Sequence, residues 1–208
     1  GKLIFIVMNI LIRQQLAISI LLFLLLFIVT WPLYQYVFDV DGIGYIGAAK
    51  QYALGNYKLA VNGYWSPLHS WLIIPFIKLG VLPENAFKIS NAFISIGCLV
   101  VLHLIIQKFE INDWIKSAIQ YSFVFILLSY TSYELAADLL LVFILFLLFN
   151  LLLSNGFYNS IQKNVLAGVI GAFAFFAKAY AFPFFILYFI LLHLSFNKDR
   201  KFYFLAAG

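Results

Sequence analysis

The run "LAISILLFLLLFIVTWPLY", Leu16 to Tyr34, contains no charged residue, and its apolar side chains fall on every face of a helix rather than on one stripe. At about 1.5 Å of rise per residue such a helix just spans a hydrocarbon core of about 30 Å. The rest of the chain has the same character. Of its 208 residues 65% are hydrophobic and 10% charged, with a mean hydropathy of +1.02, whereas soluble domains are nearer half apolar and a quarter charged. The reading is all-α: a polytopic transmembrane helical bundle. In that setting the formal charge of +5 encodes orientation, and no nucleic-acid partner is expected. The lone cysteine, Cys98, sits in an apolar run, so no internal disulfide can form. The first apolar run is too long to be a cleaved signal peptide. Gly1 at the start and the apolar "FYFLAAG" at the end suggest the N-terminal part of a longer chain, with 1–208 forming a single transmembrane domain.

Six segments read as spans: Leu16–Tyr34, Ala86–Ile106, Ser117–Tyr133, Leu135–Leu153, Val165–Ala177 and Phe184–Phe196. The last two are separated at "AKAYAFP", where Lys178 and Pro183 argue for a break. A further stretch, Pro67–Leu82, is short for a span and carries Pro75, His69 and Lys78. Counting cations decides its placement. If it lies at the interface and the N-terminus is cytoplasmic, then Lys2, Arg13, Lys108, Lys116, Lys163, Lys198, Arg200 and Lys201 are all inside. If it crosses, all of these but Lys2 and Arg13 move outside, against the positive-inside rule. Residues 35–85 therefore form an outer loop with interfacial helices, with Trp65 and Trp71 as interface anchors.

This topology puts Asp39, Asp41, Glu84, Glu134 and Asp138 at the outer face, and Glu110, Asp113 and Asp199 inside. In "DVDGIGYIGAAKQYALGNY", Asp39–Tyr57, the apolar and small residues recur at helical spacing up to Gly55, a natural C-cap. Asp39 or Asp41 would then cap the helix N-terminus. Capping needs one carboxylate, and two are present. In "YELAAD" Glu134 could cap the next helix, while Asp138 opens a run with no further charge before Lys163. An ionisable group there marks a candidate site. Lys178 ends the small-residue helix "AGVIGAFAFFAK", where Gly168 and Gly171 allow close packing; it either snorkels to lipid headgroups or holds a phosphate. His69 and Lys50 are weaker candidates that could simply face water. His103 and His193 read as helix-end residues. No cluster has metal-ligand spacing, and no cofactor is expected, although a divalent metal is left open.

The succession of "DVDGIGYIGAAKQYALGNY", "WSPLHSWLIIPFIKLGVLPENAFKISNAFISIGCLVVLHLI", "SYELAADLLLVFILFLLFNLLL" and "LAGVIGAFAFFAKAYAFPFFILYFILL" resembles the N-terminal half of GT-C fold glycosyltransferases. The likeness is to the protein O-mannosyltransferase and aminoarabinose-transferase types, which depend on a polyprenyl-phosphate sugar. It covers Leu16 to Leu194. It implies that Asp41, four residues before Tyr45, is the catalytic base, with Asp39 beside it in place of the acidic residue that relatives often carry where this chain has Gly42. It further implies that Lys178 contacts the donor phosphate and that Asp138 and Glu134 position the sugar or support the base; Tyr45 and His69 are further candidate substrate contacts. The expected partners are a polyprenyl-phosphate-linked sugar, a lipid, glycan or protein acceptor, and membrane lipids. The expected location is a bacterial inner (cell) membrane, multi-pass, with the site on the outer face. Two other readings fit the residues: a transporter or flippase, for which intramembrane acids are also expected, and a non-catalytic membrane scaffold.

The topology has a direct test. In a Cys98→Ala background a cysteine at Asn112 should stay unlabelled by a membrane-impermeant maleimide added outside intact cells. Labelling there would reverse the orientation and separate Asp41 from Asp138.

Overall fold

The computed structural model describes residues 14–37 and 39–195, except the side chains at 158, 188, 189 and 191–195. Among the described residues every regular element is helical: α1 Gln15–Tyr34, α2 Val40–Ala53, α3 Tyr57–Ala60, α4 Leu68–Lys78, α5 Pro83–Ile106, α6 Asp113–Tyr133, α7 Asp138–Leu152, a 3₁₀ turn Phe157–Asn159, α8 Ile161–Ala177 and α9 Ala181–Ser195. The segments Lys2, Arg13, Phe196 and the terminal cations Lys198, Arg200 and Lys201 lie outside the described residues.

Two of these helices, α1 and α5, are long and apolar enough to cross a membrane. They solve the problem differently. α5 is largely covered by neighbours, while α1 leaves Leu21, Leu25, Ile28, Val29 and Leu33 more than 60% exposed. α1 buries Gln15, Ser19 and Phe23 and turns most of its apolar surface outward. α6 matches them in length but carries a polar face, and α7 and α8 are shorter. The polar face of α6 is spent on its neighbours. Gln120 Nε2 donates to Ser19 Oγ (3.2 Å) and to the Leu99 carbonyl (3.0 Å), Ser117 Oγ donates to Gln15 Oε1 (3.0 Å), and Ser95 and Thr131 share a hydroxyl bond of 2.8 Å. Such bonds fix helix register where apolar surfaces discriminate poorly. Gln15 also contacts His103 Nδ1 at 3.2 Å, so His103 is part of this glue.

Two cores result. The larger joins α1, α5, α6, α7 and α8 around Phe23, Cys98, Leu99, Val124 and Leu127. The smaller is a cap at one end, where Tyr45, Ile46 and Ala49 of α2 and Ile73 of α4 meet Phe87 of α5 and the turn Leu135–Ala137. α4 stays at this end: Ser70 Oγ donates to the Tyr45 carbonyl (3.0 Å) and Trp71 packs on Phe176 near the end of α8. At the opposite end Lys108 and Lys163 donate to the carbonyls of Asn150 and Asn155, closing the C-terminus of α7.

Several local expectations need adjustment. α7 begins at Asp138 rather than Leu135, because Glu134–Ala137 leaves the helix. Pro183 lies in the first turn of α9, where its missing N–H costs nothing, and the break is carried by Lys178–Tyr180 instead. Trp65 is no free membrane anchor. Its indole lies on Gly44 and beside the Tyr45 ring (4.9 Å), pinning the loop before α4 onto α2. Gly55 does end α2, with φ +78°.

A Cβ at Gly44 would overlap the Trp65 indole. Gly44→Ala is therefore expected to lower stability by about 1–3 kcal/mol, through loss of cap packing. An unchanged thermal melt in detergent would refute this contact.

Candidate functional site

The acidic residues are gathered by one carboxylate. Asp39 is the N-cap of α2, in extended conformation, and its Oδ1 accepts from Gly42 N–H at 3.2 Å. The same oxygen accepts from Leu135 N–H at 3.0 Å, across 96 positions of sequence. Asp39 is thus committed to two backbone donors. This is the capping role expected of one of the two aspartates, and the same oxygen bridges α2 to the α6–α7 turn. The bridge needs Gly42: a Cβ there would stand 2.6 Å from Leu135 Cβ and 2.9 Å from Asp39 Oδ1. The glycine that stands where an acidic residue was expected is what lets α2 approach the α6–α7 turn.

Asp41 lies in the first turn of α2, exposed, where the helix dipole favours its charge. Asp138 opens α7 and is doubly held. Its Oδ2 pairs with Lys178 Nζ at 3.0 Å, and its Oδ1 accepts from Tyr180 Oη at 3.2 Å. Lys178 is the C-cap residue of α8, just past Ala177, and its ammonium lies 6.0 Å from the Tyr45 ring and 5.9 Å from the Tyr180 ring. Ser66 accepts from Ala179 N–H at 3.0 Å, tying the outer loop to this corner. Tyr45 itself is buried beneath them. Burial and the nearby carboxylates Asp138 and Asp41 push its phenol well above the ordinary range, so it stays protonated.

Glu134 does not cap α7. It is the C-cap residue of α6, and its backbone carbonyl accepts from Asn91 Nδ2 at 2.8 Å. Partial burial, and then the charges of Asp39, Asp138 and Asp41, raise the Glu134 carboxyl above its ordinary range, with Lys178 opposing. Three carboxylates thus act on Glu134, and the Lys178 ammonium acts against them. Beside them opens a cavity of about 480 Å³, lined by Tyr130, Glu134, Asp138 and Tyr180 and by the apolar Leu141, Val142, Leu145 and Phe184. Burial and Asp138 also hold the Tyr180 phenol protonated. Asp41 does not line this cavity.

His69 is displaced from the site. The Ser70 bond to α2 turns its neighbour inward, and the ring stacks on Phe87 at 3.9 Å, fully buried. Neither ring nitrogen has a hydrogen-bond partner among the described residues, and burial pushes its pKa down to about 3. It is a neutral packing residue rather than a substrate contact. Lys50 is exposed on α2. The side chain of His193 lies outside the described residues. Among the described residues no three His, Cys, Asp or Glu side chains converge closely enough to hold a metal ion.

Sequence reasoning missed Tyr130, Tyr180, Asn91 and Lys88. The tyrosines carried no signal in a chain with 13 of them. Lys88 did carry one, as a lone cation inside the apolar helix α5. No protein-family model, no curated protein and no solved structure matches this chain.

The repulsion at Glu134 has a measurable sign. A carboxyl with raised folded pKa contributes stability below its unfolded pKa of about 4.5 and loses it as pH rises through the folded value. Glu134→Gln should then melt about 2 °C or more higher than the native protein at pH 8 and match it near pH 4. Equal melting at both pH values would remove Glu134 from the cluster.

Proposed function

We propose that the chain is part of a polytopic membrane glycosyltransferase that moves a sugar from a polyprenyl-phosphate donor to an acceptor hydroxyl at the outer face, with inversion. The observation that carries the reading is the amphipathic cavity between α6, α7 and α9. Its polar lining includes Glu134, Asp138 and Tyr180, with Lys178 paired to Asp138, and its apolar lining includes Leu141, Val142, Leu145 and Phe184. A ligand that suits it has a polar, hydrogen-bonding head and an apolar tail. A volume of about 480 Å³ accommodates a sugar phosphate and the first isoprene units. The bare apolar length of α1 supports the membrane setting, and the six-span arrangement and cell-membrane location are part of this proposal.

In this reading Asp41 accepts the acceptor's proton. It is the exposed carboxylate of the cluster to which no described group is hydrogen-bonded, so its oxygens are open to an incoming hydroxyl. The acceptor oxygen bonds to the anomeric carbon as the bond from that carbon to the phosphate oxygen breaks. The lipid phosphate leaves with the electron pair and needs charge stabilisation more than a proton. Lys178 offers it. Its ammonium has three N–H donors and gives one to Asp138, leaving others for a phosphate oxygen. Asp138 and Tyr180 then face the sugar, while Asp39 holds the frame.

Transfer of labelled sugar from a polyprenyl-phosphate donor, measured with the complete protein in detergent or vesicles, tests the assignment. Asp41→Asn keeps the helix N-terminus favourable but removes the proton acceptor, so kcat should fall by about 10²–10⁴. Lys178→Gln should chiefly raise KM for the donor. Full activity in Asp41→Asn would overturn its role as base. Vectorial movement of the donor without transfer would favour the transporter reading.

A further inference from the structure

Lys88 is 1% exposed, on a helix whose other buried residues in this region are apolar or neutral. An ammonium so buried is costly unless its hydrogen bonds are filled and its charge is balanced. Among the described residues no carboxylate forms an ion pair with it. Its Nζ instead donates to the backbone carbonyls of Tyr34 and Val37. Tyr34 is the last residue of α1 and Val37 lies three residues on, so the ammonium sits at the negative end of the helix dipole, where the Tyr34 carbonyl also accepts from Val37 N–H at 3.0 Å. The balancing charge is a helix terminus rather than an acid.

The next turn of the same face does the matching work on the other acidic segment. Asn91, fully buried three residues on, donates to the Glu134 carbonyl at 2.8 Å. Val37 precedes Asp39 by two residues, and Asp39 accepts from Leu135, the residue after Glu134. The contacts close a ring: Lys88 to Val37, along the chain to Asp39, across to Leu135 and Glu134, and back through Asn91 to Lys88. α5 is common to both halves.

We propose that Lys88 is the positioning residue of the acidic site, and that with Asn91 it uses one face of α5 to set the separation between the Asp39–Asp41 segment and the Glu134–Asp138 segment. Lysine suits this task because its long stem reaches both carbonyls through an apolar layer, and its positive charge adds to the bonds. The consequence for catalysis rests on the transferase reading above; the consequence for geometry does not. Displacing a base by about 1 Å is enough to lose a large part of its effect.

The test begins with distance. Spin labels on cysteines at Leu54 and Ile126, both exposed and away from the acidic residues, in a Cys98→Ala background of the full chain, report where α2 lies relative to α6. The native protein should give one narrow distribution, Lys88→Met a broadened or shifted one, and Lys88→Arg should restore the native shape. Asn91→Leu, which leaves Lys88 in place and removes only the hold on Glu134, should broaden it as well, and it carries the test if Lys88→Met does not fold. A native distribution in Lys88→Met, or in Asn91→Leu where Lys88→Met fails to fold, overturns the proposal. So does failure of Lys88→Arg to restore it. With the polyprenyl-phosphate donor, Lys88→Met should lower kcat about 10-fold or more with KM within twofold, and Lys88→Arg should recover it. If the native protein transfers no sugar, the transferase reading fails while the distance result still decides the role of Lys88.

Discussion

Everything at the acidic end of the molecule depends on one carboxylate oxygen bonded to two backbone amides. Asp39 Oδ1 caps α2 through Gly42 and reaches Leu135 in the turn between α6 and α7. Charge-assisted bonds of this kind are about twice as strong as neutral ones. Here the two amides belong to elements almost a hundred residues apart. Leu135 N–H follows directly on the end of α6, where the chain has left the helix, and the carboxylate gives it a partner away from water. The same bond brings Glu134 and Asp138 to the side of α2 that carries Asp41. Gly42 permits this closeness by having no Cβ to meet Leu135.

The cost of the arrangement falls on charge. Burial, and then the charges of Asp39, Asp138 and Asp41, raise the carboxyl of Glu134. Lys178 relieves the repulsion locally at Asp138, and the phenols of Tyr45 and Tyr180, both held protonated, add no charge. A fold optimised for stability alone would replace one or more of these acids by neutral groups. Strained electrostatics beside a cavity with both polar and apolar lining is the pattern expected of a site that binds a ligand completing the charge balance. A phosphate would bring more negative charge, so it must engage the ammonium rather than the acids. In the proposed reading a phosphate would therefore engage Lys178, and the carboxylates would meet hydroxyl groups.

The two cores divide the labour. The bundle core is apolar side chain against apolar side chain, and its register comes from a few buried bonds such as Gln120 to Ser19 and Leu99. The cap core is built from aromatic rings and small residues: Tyr45, Phe87, Trp65 and the alanines of α2 and of the α6–α7 turn. Small residues bring backbones close, which is what positioning by backbone hydrogen bonds requires. Lys88 and Asn91 stand where the two cores meet, so the bundle helix α5 extends its order into the cap.

Periodicity and composition in the sequence were enough to give the all-helical class, the helix at Val40–Ala53 with its glycine stop, the break near Lys178, and the grouping of Asp39, Asp41, Glu134, Asp138 and Lys178 at one end. Those follow from local rules: apolar runs make helices, glycine ends them, and cations count the side of each loop. What the chain could not disclose alone was which acid does which task. Asp39 and Asp41 are chemically identical two residues apart, and only the approach of Leu135 turns the first into a bridge and leaves the second open. His69 looked like a ligand because imidazole is versatile, and the Ser70 bond to α2 buried it against Phe87. Lys88, a lone cation in an apolar helix, takes its role from the end of α1. In each case the deciding partner lies between 18 and 96 residues away, and a partner at that separation is chosen by helix packing, which no local pattern encodes.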